Sequence, residues 1–333
     1  MADRRVTSKG GALLAVLWLS AALAAIAFSL AGTVRGELER TSTALDGTRA
    51  YYLATGALER ALLYMQWGQR YLLPDGSSRY FSPWATSLQF SFPAGEAIVE
   101  IVPETARLNV NMAPPEDLFR LLSALGASPE QAREITGAIV DWRTMPPEGR
   151  LTDLDRYYLS LAPSFRAPHA SFQEVEELLL VKGMTPELFH GSMEREPRGR
   201  LAARGGLKDC LSVYGGGIQV DANTAPPPVL AAAGLGPSAV NAIIQQRRVQ
   251  PFRSPGQLRA LGLPEPAAAR LIIGGGSVYT LRATARLRLA DGKLSDLNRS
   301  VGATVRFGGS GFETACQVLR WRDFVWAGDE RWM

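Results

Sequence analysis

Two histidines and two cysteines are the whole supply of the side chains that most often act as bases, nucleophiles or soft metal ligands in this 333-residue chain. His169 and His190 stand in no motif with a nucleophile and at no ligand spacing, which reads as surface or capping histidines. Cys210 and Cys316 lie far apart, so a disulfide between them requires the fold to bring them together; two buried thiols are the alternative. No nucleophile elbow, phosphate loop or metalloprotease helix occurs. Gly234-Leu-Gly236-Pro-Ser-Ala239 mimics a dinucleotide fingerprint, but it follows a helical pattern where the fingerprint needs a strand. Glu174, Glu176 and Glu177 read as the solvated face of a helix that buries Val175, Leu178 and Leu179. The inventory predicts a protein that is not an enzyme.

The elements around these residues say more. Arg4, Arg5 and Lys9 outweigh Asp3, and no charge interrupts Ala12 to Val34. A helix needs about 20 residues to cross the hydrocarbon core, so this run is long enough to span, and too long for a cleaved signal of the usual kind. The basic leader keeps the N-terminal side in the cytoplasm and sends the rest across. Beyond the interface, Ala50, Leu53, Ala54, Ala57, Leu58, Ala61, Leu62 and Met65 recur at helical spacing. One continuous helix over 11–70 is expected, with 11–34 in the membrane. The remaining composition, 46% hydrophobic and 20% charged, is that of a folded chain.

An internal echo organises the middle. NVNMAPPEDL at 109–118 and DANTAPPPVL at 221–230 each follow a strand-like stretch and lead into helix. Asn111 and Asn223 suit Asx-type turns, and the paired prolines suit a first helical turn. Each copy then continues as two short helices joined by a glycine turn, a helix-hairpin-helix pattern. Strand signals lie on both sides: Leu88, Phe90 and Phe92, then Ile98, Glu100 and Val102, then three β-branched runs from 277 to 321. The expected fold is α+β, with a long N-terminal helix packed on one antiparallel sheet (71–110 plus 275–333) and an inserted all-α domain (111–274).

Hairpins of this kind raise nucleic-acid binding. Residues 223–274 carry Arg247, Arg248, Arg253, Arg259 and Arg270 against Glu265, whereas 111–143 is net acidic. Across 111–274 there are 17 basic and 17 acidic residues, a balance that suits a protein–protein surface better. A membrane-anchored DNA-binding protein is the alternative reading; no nucleic-acid partner is expected.

A short basic leader ending in glycine, followed at once by an apolar helix with an amphipathic continuation, resembles a type IV pilin-type prepilin. With RLNVNMAPPEDL, IVDWR, DRYYLSLAPSFRAPHASFQEVEELLLVKGM and DANTAPPPVL in that order, the chain resembles the K-subunit minor pseudopilins of type II secretion systems. The resemblance implies a leader (1–10) cut by prepilin peptidase between Gly10 and Gly11. It also implies a single-pass inner-membrane protein with a periplasmic body, joined to the I and J minor pseudopilins at the tip of a pseudopilus. Pilins carry Glu five residues after the cut; here that residue is Ala15, which spares the bilayer an unpaired carboxylate and suits a subunit with none before it. Family members can bind calcium after an Asp-Trp pair. Asp141-Trp142 is present, but Arg143-Thr-Met-Pro-Pro147 follows, leaving Glu148, Asp153 and Asp155 as the calcium candidates.

Overall fold

The structure, a computed structural model, describes residues 9–68, 71–74, 76–147, 150–195, 199, 201–215, 217–308 and 316–325. A single helix, α1, runs Lys9–Trp67. Strands β1 (Ser87–Phe92) and β2 (Gly95–Pro103) follow, then β3 (Leu108–Asn109), α2 (Pro115–Ala124), α3 (Pro129–Arg143) and α4 (Asp153–Leu159). Next come α5 (Pro186–His190), β4 (Gly191–Arg195), β5 (Leu201–Gly205), β6 (Leu211–Ser212) and β7 (Val220–Asp221). Four helices, α6 (Pro227–Ala232), α7 (Pro237–Val249), α8 (Pro255–Arg259) and α9 (Glu265–Ala268), precede β8 (Leu271–Ile272). The chain closes with β9 (Val278–Arg288), β10 (Leu294–Arg306) and β11 (Gln317–Arg322).

One antiparallel sheet is ordered β1-β2-β9-β10-β11, so the first hairpin pairs with strands almost two hundred residues later. Alternation along β2, β9 and β10 sends Val99, Ile101, Leu281, Ala283, Val301 and Val305 inward. They meet Ala54, Ala57, Leu58, Ala61 and Met65 on α1, which are also buried. Three alanines in that stripe let the helix lie close to the sheet. The outer face pairs Glu100 with Arg282, and Thr284 Oγ1 with Ser300 Oγ at 2.8 Å. From Gly11 to Val34, α1 is exposed along its whole length, as an apolar membrane anchor is before a bilayer surrounds it. The helix stops short of residue 70, at Trp67: a Cβ on Gly68 would lie 2.7 Å from the Phe81 carbonyl oxygen, so the chain turns there at a contact that glycine permits.

The intervening segment builds a second core of its own, in which Leu108 and Val110 already take part. It is not all-α. Three two-stranded pieces lie within it: β3 with β6 and β7 with β8, both parallel, and the antiparallel hairpin β4–β5. The strand-like stretches that precede the two echoes, ETARLNV at 104–110 and SVYGGGIQV at 212–220, shrink to two-residue pairings, because residues 104–106 close a 3₁₀ turn and glycines interrupt the second. Residues 175–180 form a 3₁₀ helix whose period of three buries Leu178 and Val181; Leu179, expected inside, is exposed.

Candidate functional site: a duplicated helical body at the distal end of the sheet

The insertion is a repeated unit, and its repetition extends well past the echo visible in the sequence. In the first unit, Asn111 Nδ2 donates to Phe172 O at 3.0 Å while Phe172 N–H donates to Asn111 Oδ1 at 2.7 Å. In the second, Asn223 Nδ2 donates to Phe252 O at 2.9 Å and Phe252 N–H to Asn223 Oδ1 at 2.8 Å. Arg143 at the end of α3 donates to the carbonyls of Val110 and Ala113; Arg247 near the end of α7 donates to those of Ala222 and Ala225. Gly126 and Gly234 turn the chain between the paired helices at φ 90° and 97°, and Gly183 and Gly262 serve later turns at 84° and 63°. Each unit is closed by a parallel pairing of its first and last strands.

The units pack on each other through α2 and α6. Arg270 binds the carboxylate of Asp117 through both terminal nitrogens, one at 3.0 Å from Oδ1. The carboxylate is buried, so this is a charge-assisted fork shielded from water. Glu104 plays the joining part between the two bodies: it accepts from Ser212 in the insertion and from Thr280 Oγ1 in β9 at 2.6 Å.

The candidate residues scatter. Cys210 is a free thiol in the helical core and Cys316 a free thiol against the sheet core, so the disulfide considered for them is not formed. Burial pushes Cys316 up to about 11 and Cys210 further still. His190 ends α5 edge-on to Phe189, with ring centroids 4.8 Å apart. His169 is not a surface residue but is buried, facing Asp155, Asp141 and Thr144. Burial disfavours ionised Asp155. Hydrogen bonds from His169 and the Thr152 N–H, with the charges of His169 and Arg166, outweigh that and hold its pKa below the usual value. Burial likewise works against charged His169, yet Asp155 and Asp141 raise it overall. Burial raises Asp141.

The described calcium candidates do not fit a hard cation. Asp153 is exposed and paired with Arg156, whereas Asp155 is fully buried and turned the other way; two positions apart on α4 they share no face. Glu148 lies outside the described residues. Among the described residues no three acidic, histidine or cysteine side chains converge as a metal site.

An antiparallel sheet on the second half of a long N-terminal helix, with a helical insertion, defines an α+β chain whose first helix is long and apolar enough to cross a membrane. Two segments of the chain match family models for type II secretion system protein K, one over residues 101–191 and one over 220–271. The type II secretion system protein K of Klebsiella pneumoniae is 28% identical over 199 residues, 54% of this chain and 60% of that relative, so the match spans less than two thirds of the relative's length. A chain in the crystal structure of the GspK–GspI–GspJ complex from enterotoxigenic Escherichia coli superposes with TM-score 0.52 at 18% identity. The match covers 87% of this chain and 98% of that one, a likeness of fold. These matches agree with the likeness to type II secretion system protein K that the sequence motifs carried.

Proposed function

We propose that this protein is the tip subunit of a type II secretion pseudopilus: a non-enzymatic minor pseudopilin that nucleates and caps the filament for export of folded proteins. One observation carries the reading. Gly47 on α1 lies beside Arg299, and Leu53 beside Gly95, so β2 starts near the membrane-proximal part of the helix. It runs away from the membrane to Pro103, which pairs with Tyr279. The insertion therefore leaves and returns at the end of the sheet remote from the anchor, where its bulk blocks a further subunit from stacking.

In this reading prepilin peptidase cuts between Gly10 and Gly11, Ala15 takes the place of the pilin glutamate, and the body stands in the periplasm above the inner membrane. Minor pseudopilins I and J are the partners, as in the complex that this fold resembles. Each helix pair is a helix-hairpin-helix used for protein contact. The segments expected as 71–110 plus 275–333 serve as the pseudopilin body and 111–274 as the inserted domain, with the first boundary moved back to about Leu108, whose core and strand pairing belong to the insertion.

The test is co-expression with prepilin peptidase and the I and J subunits, then N-terminal sequencing and purification from membranes. A mature chain beginning at Gly11 that brings both partners with it is expected. A chain still carrying Met1, or one that leaves both partners behind, overturns the reading. The DNA alternative is weakened because Arg247 and Arg270, two of the five basic residues that favoured it, are spent on internal carbonyls and on Asp117. No shift of duplex DNA at low salt is expected.

A further inference from the structure

The two units differ most where the second is shortest. There, α7 ends at Val249 and Phe252 follows almost at once. In the first unit α3 ends at Arg143, and Phe172 is reached only after an excursion that contains α4. His169, near the end of that excursion, ties it back to the helix it left. Nδ1 of His169 faces two carbonyl oxygens, Asp141 O at 3.0 Å and Thr144 O at 3.1 Å. Its Nε2 lies 3.1 Å from both carboxylate oxygens of Asp155. Carbonyl oxygens only accept, so Nδ1 carries a hydrogen; an ionised carboxylate only accepts, so Nε2 carries one too. With acceptors on both sides the ring is an imidazolium.

The position suits a positive charge. It abuts the C-terminal carbonyls of α3, where the helix dipole is negative. Asp155 is fully buried, and its remaining capacity is taken by the Thr152 N–H at 3.1 Å from Oδ2 and by Arg166 Nε at 3.5 Å from Oδ1. A calcium ion needs six to eight oxygens, several of them from carboxylates. It would have to displace every one of these donors to reach Asp155.

We propose that His169 is this chain's built-in counterpart of a divalent cation, a positioning residue whose imidazolium clamps the returning end of the excursion to α4 and to the C-terminus of α3 and makes the folded insertion independent of calcium. A cation carried on the chain needs only a proton, whereas a diffusible metal ion must be supplied by the compartment. The inference does not rest on the filament role: it concerns how one loop is held, whatever the loop contacts.

The experiment uses the full chain in detergent, with and without millimolar calcium or chelator, reading the thermal midpoint and the rate of tryptic cleavage after Arg150 and Arg156. For the natural chain both readouts are expected to be the same in calcium and in chelator. His169→Gln keeps a polar side chain but not the charge. It is expected to speed cleavage in the excursion about tenfold, the equivalent of about 1.4 kcal/mol. Arg166→Gln alters only a half-exposed side chain, so it remains a test if the first variant fails to fold, and a change of the same sign is expected. A midpoint of the natural chain that climbs several degrees with calcium, as ligand linkage requires of a bound ion, overturns the proposal. So does wild-type cleavage in both variants.

Discussion

Asn223 and Phe252 exchange two hydrogen bonds, Nδ2 to carbonyl oxygen at 2.9 Å and N–H to Oδ1 at 2.8 Å, in a buried ring closed by one side-chain amide. Only an amide offers a donor and an acceptor side by side. Replacing Asn223 by Ala strands a buried N–H and a buried carbonyl, each worth about 1–3 kcal/mol when left unpaired. Asn223→Ala is expected to lower the unfolding free energy of the insertion by that order, and Asn223→Asp to cost more than half as much because the donor is lost. Urea unfolding followed by tryptophan fluorescence checks both.

Asp117 and Arg270 join the two units. Removing one partner of a buried pair leaves the other uncompensated, at a cost of about 3–5 kcal/mol. Arg270→Ala is therefore expected to destabilise strongly, and the double variant Asp117→Asn with Arg270→Ala to recover part of the loss. A double-mutant cycle on the unfolding midpoint measures the coupling.

The surroundings of His169 give the insertion a signed pH response. Its pKa is raised above the ordinary 6.5, so the stabilisation is complete below that value and is lost as pH rises through the folded value. Asp155, lowered from 3.8, contributes in the opposite sense: its share is lost as pH falls through the folded value. Asp141, raised by burial, loses stability from 3.8 upward as it ionises. Thermal midpoints are expected to fall on the alkaline side of 6.5, and His169→Gln to flatten that fall.

Neither thiol is poised to react. Cys210 is fully buried and Cys316, pushed up to about 11, is mostly protonated at neutral pH. Thiol labelling of the native chain is expected to be slow at Cys316 and slower at Cys210. Both are expected to label quickly in denaturant without added reductant.

Ala57 is fully buried where α1 meets the sheet. Ala57→Leu forces that contact apart, and overpacking of this kind costs about 1–3 kcal/mol. The sheet is expected to unfold at lower temperature while the helical insertion, which has a separate core, keeps its midpoint.

Much of this architecture was legible in the residues. The stripe from Ala50 to Met65 is a one-dimensional pattern that survives into the structure, and the strand at β2 does too, although the residues that signalled it, Ile98, Glu100 and Val102, alternate with the inward pair Val99 and Ile101. The echo around Asn111 and Asn223 announced a duplication. Its full extent was hidden because the partners Phe172 and Phe252 stand at unequal distances from their asparagines, separated by the α4 excursion. Arg143 and Arg247 left a fainter signal, a basic residue ending the second helix of each pair. His169 was unreadable as a buried group, since its meaning depends on carbonyls and a carboxylate brought together by three different segments. The Val175–Leu180 stretch was misread because a 3₁₀ winding and an α winding bury different members of one apolar run.

Pro103 and Tyr279 are direct partners, so the helical body begins and ends about one interstrand spacing apart, ~4.8 Å. A segment with neighbouring ends is a parenthesis in the chain: it can lengthen, shrink or be exchanged over evolutionary time without rethreading the sheet beneath it. Mechanically the same neck is a hinge pin. A sideways load on the large head reaches the stalk as twist on two adjacent strands, and the Glu104 bridge to Ser212 and Thr280 is where that twist is resisted.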